Sequence, residues 1–163
     1  MKAKCYSQSL LLGATVLALV WLGNAEVFGQ KTTQAVAASS ATNQPAPYNS
    51  YRGARLGMSD QEVRATLGQS SAMFEDQDYY TISDTETAQV VYDKQRKVVT
   101  ISVDYLDGVG APDNKLVVGG ELEQRPNGSL YKMVRHEALG FWVSYNRTSG
   151  PVVIVTVTIQ KMK

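Results

Sequence analysis

Cysteine and histidine, which often bind metals or take part in catalysis, are nearly missing from this chain of 163 residues. It has one cysteine, Cys5, and one histidine, His136. A lone cysteine excludes an internal disulfide and a thiolate metal cluster, and a lone histidine excludes a cluster of imidazole ligands. A surplus of one charge is also lacking, because 16 basic residues nearly balance 15 acidic ones. A basic surface for nucleic acid is therefore not expected. We predict no metal, no cofactor and no nucleic-acid partner.

Long apolar runs are also scarce. Residues 10–22 form one such run, which follows Lys2 and Lys4 and precedes small residues, and this is the layout of a secretory signal peptide. The run is shorter than the about 20 residues that usually cross a bilayer, so we expect membrane attachment only if the segment stays uncleaved. Cys5 precedes the run, whereas a bacterial lipoprotein needs its acylated cysteine just after it. We therefore predict a signal peptide over residues 1–29, export to the periplasm or the medium, and no lipid anchor.

Residues 30–50 have the composition of a linker. They are rich in Ala, Ser, Thr, Gln and Pro, carry one charge and show no hydrophobic periodicity. Such a segment cannot bury enough apolar surface to offset the entropy lost on ordering, so we predict that it is disordered. Residues 51–163 are then expected to form a single domain, in which no internal repeat is evident.

The best-specified local structure is a short helix within RLGMSDQEVRATLG, residues 55–68. Ser59 is the expected N-cap, and Glu62 three positions later completes a reciprocal capping box. Gly68 is expected to end the helix. Eight helical residues are too few to persist alone in water, so the apolar Leu56, Val63 and Leu67 must be buried against a neighbouring element.

The rest of the domain is dominated by β-branched and aromatic residues in short segments that turn formers separate. The charged connection 93–97 predicts an antiparallel hairpin, and the last three segments predict an antiparallel meander whose final strand, apolar on both faces, is central. The fold class is predicted to be α+β, with one short capped helix packed on an antiparallel β-sheet of about five to seven strands. The predicted strands are 79–83, 88–92, 98–106, 116–118, 130–135, 141–147 and 152–160.

The segment LGMSDQEVRATLG, residues 56–68, resembles the start of the SmpA/OmlA (BamE-like) family module, which is similar in fold to the β-lactamase inhibitory proteins. The match is limited to the helix and the hairpin after it. The resemblance implies an envelope protein that works by binding other proteins, as in outer-membrane assembly. Members of that assembly machinery are lipoproteins, and here this chain departs from the family. The matched positions have structural roles, so the resemblance transfers no functional residue.

A candidate protein-binding surface lies on the predicted meander. If Phe141 and Val143 face the core, Trp142 faces outward, and an exposed tryptophan beside arginine is the composition of an interaction hot spot. The alternative is that Trp142 packs beneath the linker or the helix, because large aromatic side chains are usually mostly buried. The candidate surface consists of Tyr131, Lys132, Arg135, Trp142, Tyr145 and Arg147.

We therefore expect an exported, non-enzymatic protein-interaction module of the bacterial cell envelope, with an envelope or secreted protein as its partner and no catalytic residue. One alternative is a secreted or periplasmic enzyme inhibitor of the β-lactamase-inhibitory-protein type, in which a concave sheet face occludes an active site. A second is a small hydrolase that uses His136, for which Ser129 and Ser149 are the serines considered, or a carboxylate pair in a pocket. Both serines stand in predicted turns and no Gly-x-Ser-x-Gly elbow is present, which disfavours the hydrolase.

Overall fold

The computed structural model describes residues 46–163 and is mostly β, with 47% of the residues in strands and 14% in helices. The predicted α+β class, with one helix and five to seven strands, is therefore wrong. The described residues form two short helices, α1 (Asp60–Leu67) and α2 (Asn114–Val118), and a 3-10 turn, Glu137–Leu139. The ten strands are β1 (Ser50–Tyr51), β2 (Ala54–Arg55), β3 (Ala72–Met73), β4 (Gln77–Ser83), β5 (Glu86–Tyr92), β6 (Val98–Leu106), β7 (Glu123–Gln124), β8 (Leu130–His136), β9 (Phe141–Arg147) and β10 (Ile154–Lys161).

Two of the predicted segments fall wholly or largely outside this range. The predicted signal peptide, residues 1–29, and residues 30–45 of the predicted linker lie outside the described residues. The last residues of the predicted linker lie within it, and Tyr48 packs against the core while Ser50 begins β1. Tyr48 and Ser50, which the prediction placed in the linker, are thus part of the folded domain.

Eight of the strands form one antiparallel sheet in the order β3-β4-β5-β6-β10-β9-β8-β7, and β1 pairs with β2 separately. The predicted hairpin is confirmed as β5 and β6, and the predicted meander is confirmed as β8, β9 and β10. β10 lies between β6 and β9, so its predicted central position is also confirmed. The strands that the sequence pattern missed are the four of two residues each, because so short a segment shows no alternation.

The order of elements is repeated within the domain. A short helix, a two-residue strand and three long strands occur as α1 with β3 to β6 and again as α2 with β7 to β10. The strand lengths are 2, 7, 7 and 9 residues in the first unit and 2, 7, 7 and 8 in the second. No repeat is evident in the sequence because polar and apolar alternation recurs without residue identity, and because α2 is shorter than α1.

The core lies on one face of the eight-stranded sheet. Val90, Ile101 and Val143 point to this face and are fully buried. Both helices and the β1–β2 hairpin cover it, and α1 inserts the fully buried Val63, which confirms the predicted burial of that residue. Leu56 and Leu67, which were also predicted to be buried, are only partly buried. Burial of the helix's apolar face supplies stability that an isolated eight-residue helix lacks.

The caps explain where the helices begin and end. The Ser59 hydroxyl accepts from the Glu62 N–H at 3.3 Å, and the Glu62 carboxylate accepts from the Ser59 N–H at 2.7 Å, so the predicted capping box is confirmed. The prediction of a strand at residues 116–118 is wrong, because these residues belong to α2. There the Asp113 side chain caps the helix start and Gly119, at a φ of 67°, ends it. These local signals outweigh the strand propensity of Leu-Val-Val.

A buried carboxylate fixes α1 to the sheet. Asp78 on β4 is fully buried, and its two oxygens accept from the Arg64 guanidinium at 2.9 and 3.1 Å. The Tyr92 hydroxyl also donates to it at 2.9 Å, and burial together with this hydrogen bond raises the pKa of Tyr92. A charge buried this deeply is tolerated only when it is paired, so Asp78 specifies where the helix lies.

Replacing Arg64 with alanine is expected to lower the free energy of unfolding by about 2–4 kcal/mol, because the Asp78 carboxylate would keep its burial and lose its cation. Urea unfolding followed by circular dichroism measures the change. Arg55→Ala removes an exposed arginine that forms no ion pair with the described residues and should cost less than about 0.5 kcal/mol. Equal losses in the two variants would contradict the anchoring role of Asp78.

A second ion pair holds the β1–β2 hairpin to β5. The Glu86 carboxylate accepts from the Arg52 guanidinium at 2.7 Å and from the Tyr51 hydroxyl at 2.8 Å. Burial raises the pKa of Glu86, but these hydrogen bonds and the charge of Arg52 outweigh burial, so the pKa lies below its ordinary value. The ionised form of Glu86 is therefore the one that stabilises the fold.

The free energy of unfolding is expected to fall as the pH drops below about 4.5, the ordinary pKa of a glutamate. Because the pKa of Glu86 is lowered in the folded protein, the contribution of Glu86 to the free energy of unfolding is complete above that pH. This contribution is lost as the pH falls through the folded-state pKa. Urea unfolding at pH 6 and pH 3 should show a smaller difference for Glu86→Gln than for the wild type. An unchanged difference would show that Glu86 contributes nothing to the acid sensitivity.

Candidate functional site

The face of the eight-stranded sheet opposite the core is covered by no helix or hairpin among residues 46–163, and we call it the open face. The strand register places its side chains in three rows that cross the six long strands. Hydroxyl and amide groups predominate, and among these eighteen residues only Asp104 and Arg135 are charged. The middle row is Tyr79, Gln89, Ser102, Thr158, Ser144 and Met133, and the outer rows are Thr81, Thr87, Asp104, Thr156, Asn146 and Tyr131, and Gln77, Val91, Thr100, Gln160, Trp142 and Arg135.

Hydrogen bonds between neighbouring strands hold the polar side chains at the centre of the open face. The hydroxyls of Ser102 and Thr158 lie 3.0 Å apart, and the Thr156 hydroxyl donates to Asp104 at 2.6 Å. Each bond fixes a rotamer before any partner arrives. Since fewer side chains then have to be ordered on association, the entropic cost of binding at this face is reduced.

Larger side chains flank this polar centre on both sides. Near the β4 edge, Phe74 is 55% exposed and lies edge-on to the Tyr79 ring, with 5.8 Å between the ring centroids. On the other side Trp142 is half-buried, and the Arg125 guanidinium lies 3.7 Å from the centroid of the Tyr131 ring. Tryptophan, tyrosine and arginine are the residues that most often dominate the energy of protein interfaces.

The six predicted surface residues do not share one face. Tyr131, Arg135 and Trp142 lie on the open face, which confirms the predicted outward direction of Trp142 opposite the buried Phe141 and Val143. The remaining three lie on the core side, because neighbours along a strand point to opposite faces. They are Tyr145, which is buried, Lys132, which lies against Gly120, and Arg147, which is paired with Val155.

Several residues of the open face are absent from the predicted surface. The alternation of apolar and polar residues in β6 indicates that Ser102 faces away from the core, so the direction of this side chain could be predicted from the sequence. Its partner Thr158 is 56 residues away, and no local pattern shows that the two strands are neighbours. Tyr79 and Phe74 were missed for the same reason, since they join this surface only when β4 enters the sheet.

His136 lies away from the open face. It ends β8 on the core side, stacks on Phe141 with 4.8 Å between the ring centroids, and lines a small cavity of about 140 Å³ beside α2. Among the described residues that line this cavity there is no serine, threonine or carboxylate. The hydroxyls of Ser129 and Ser149 both donate to Asn127 at the opposite end of β8, about 20 Å along the strand. Of the hydroxyl side chains weighed for a hydrolase, neither Ser129 nor Ser149 therefore lies near His136.

The part of the chain that the structure describes holds no group of three or more His, Cys, Asp or Glu side chains arranged to bind a metal ion. The same residues include no helix that is long and apolar enough to span a membrane.

No protein-family model, no curated protein and no solved structure matches this chain. The resemblance of residues 56–68 to the SmpA/OmlA family therefore stays a prediction.

The side chains of β9 point alternately to the core and to the open face, so alanine substitutions in this strand should lower the free energy of unfolding by different amounts. Tyr145→Ala should lower the free energy of unfolding by about 3–5 kcal/mol, because it leaves a cavity in the core. Trp142→Ala should cost less than about 1.5 kcal/mol, since it removes a half-buried side chain from the open face without leaving an enclosed cavity. Urea unfolding of both variants measures the difference, and a larger loss for Trp142→Ala would contradict the assigned faces.

Proposed function

We propose that this chain is an exported, non-enzymatic protein-interaction module of the bacterial cell envelope, and that it binds an envelope or secreted protein with the open face. The observation that carries the proposal is an uncovered sheet face with a polar, hydrogen-bonded centre and aromatic side chains at its flanks. The same mixture of tyrosine, tryptophan, serine and asparagine is used by antibody binding loops. The N-terminal sequence supports export.

The size of the open face suits a protein partner. Its six long strands, of seven to nine residues, cover a face about 24 Å wide and about 23 Å long, or roughly 550 Å² in projection. A pleated surface has a larger accessible area than its projection, and Phe74 and Arg125 extend it at the two edges. The total is comparable to the about 800 Å² that each partner contributes to a stable complex.

An enzyme inhibitor is the second candidate. The observation in its favour is that the two repeated units contribute to one continuous face, because β6 and β10 pair at its centre. A surface of this width could cover an active-site cleft. The inhibitor differs from a general interaction module in one measurable respect, which is that one equivalent of this protein would stop the turnover of its partner.

Site-specific photo-crosslinking in the source cell tests the proposal. A benzoylphenylalanine at Thr158, in the centre of the open face, should give a discrete adduct with a partner protein. The matched control is Gln61, an exposed position on α1 on the opposite side of the sheet, which should not give that adduct. Trp142→Ala should lower the adduct yield at Thr158, because it removes the largest side chain of the open face.

The same adduct from Thr158 and Gln61, or an unchanged yield in Trp142→Ala, would contradict binding through the open face. If the partner is a hydrolase that loses its turnover at one equivalent, the inhibitor becomes the correct assignment.

A further inference from the structure

One corner of the open face is recessed. Where β10 ends, a depression of about 570 Å³ lies beside Trp142 and Arg135, and a second of about 400 Å³ lies on the other side of β10 beside Val99 and Thr100. Residues 160–163 line both depressions. Each depression can hold one or two side chains of a partner, whereas the flat centre of the open face cannot enclose any.

Positive charge gathers at this corner. The larger depression is lined by Arg135, Lys161 and Lys163, and none of them forms an ion pair with the described residues. The depression reaches around the end of β10, because Lys161 is paired with Phe141 and therefore lies on the core side. Two carboxylates adjoin the corner. They are Asp93 beside the smaller depression, whose Oδ1 accepts from the backbone N–H groups of Gln95 and Lys97 at 2.9 Å each, and Glu137 beside the larger one, so that three cations face two carboxylates.

Apolar surface lies among these cations. Trp142 and Met162 line the larger depression, and Met162 and Val99 line the smaller one. A binding group that complements the corner therefore combines an anionic group with an apolar one. A carboxylate side chain next to a leucine in an exposed loop has this chemistry, and an arginine can bind a carboxylate in a bidentate manner.

We propose that this corner, which we call the basic corner (Arg135, Trp142, Lys161 and Lys163), binds an acidic and apolar loop of the partner protein. The proposal rests on the proposed function, because it names the chemistry of the partner at the open face. A protein loop is favoured over nucleic acid because three cations neutralise few phosphates and the chain has a formal net charge of only +1.

Fluorescence of Trp142 in the full chain tests the basic corner directly. Trp21→Phe leaves Trp142 as the only tryptophan. The probe is the capped peptide Gly-Leu-Asp-Glu-Leu-Gly, and its uncharged match is Gly-Leu-Asn-Gln-Leu-Gly. The acidic peptide should bind with a dissociation constant about tenfold lower than its match at about 20 mM NaCl, and the difference should shrink at about 500 mM.

The double variant Lys161→Glu/Lys163→Glu should abolish the preference for the acidic peptide. The double variant Lys115→Glu/Arg55→Glu changes the net charge equally at exposed positions outside the basic corner and should keep the preference. Arg135→Gln should weaken the preference without a change in far-ultraviolet circular dichroism, and it serves as an independent variant if the first double variant does not fold.

Equal binding of the two peptides, or an unchanged preference in Lys161→Glu/Lys163→Glu, would overturn the proposal. Binding of a thymidine hexanucleotide as tight as that of the acidic peptide would overturn it in favour of a phosphate ligand. If the peptides fail while Thr158 still gives its crosslink, the basic corner is wrong and the open face stands. If both fail, the proposed function fails as well.

Discussion

The antiparallel pairing of β6 with β10 is the contact on which the architecture depends. It joins the last strands of the two repeated units over seven residue pairs, from Leu106 and Ile154 to Thr100 and Gln160. On the core side Val103 meets Val157, and on the other side the hydroxyls of Ser102 and Thr158 lie 3.0 Å apart. The same pairing therefore closes the core and makes the open face continuous. Without it, each unit would be a sheet of four strands with half of the core.

The two units share the sheet but differ in how they cover its core side. α1 has eight residues, a capping box and the buried Arg64–Asp78 pair, whereas α2 has five residues and a single side-chain cap. A shorter helix covers less apolar surface, and α2 buries Val117 and Val118 while Leu116 stays largely exposed. The open face is free of this asymmetry because no helix among residues 46–163 packs on it. What differs between its halves is the side chains, with Phe74 and Tyr79 on one flank and the cations near Trp142 on the other.

Local features of the fold could be predicted from the sequence, whereas long-range ones could not. The capping box at Ser59, the hairpin of β5 and β6 and the outward direction of Trp142 all follow from residues within a few positions of one another. The fold class, the repeat and the pairing of β6 with β10 depend on contacts between residues about 50 positions apart, which no local periodicity records. Three of the six predicted surface residues lie on the open face because the alternation along β8 and β9 was visible, but Lys132, Tyr145 and Arg147 were grouped with them although they lie on the opposite face.

The proposed partner is expected to bind mainly through side chains of the open face and not through an edge of the sheet. A long edge strand presents free N–H and C=O groups to which another strand can add. Here β3 and β7 have only two residues each and cover part of β4 and β8, so residues 80–83 and 132–136 have no strand partner on their outer side among residues 46–163. The face, in contrast, spans six strands of seven residues or more. Because the open face is larger than either of these short edges, the affinity for the proposed partner is expected to come mainly from a few large or charged side chains, among them Trp142 and Arg135.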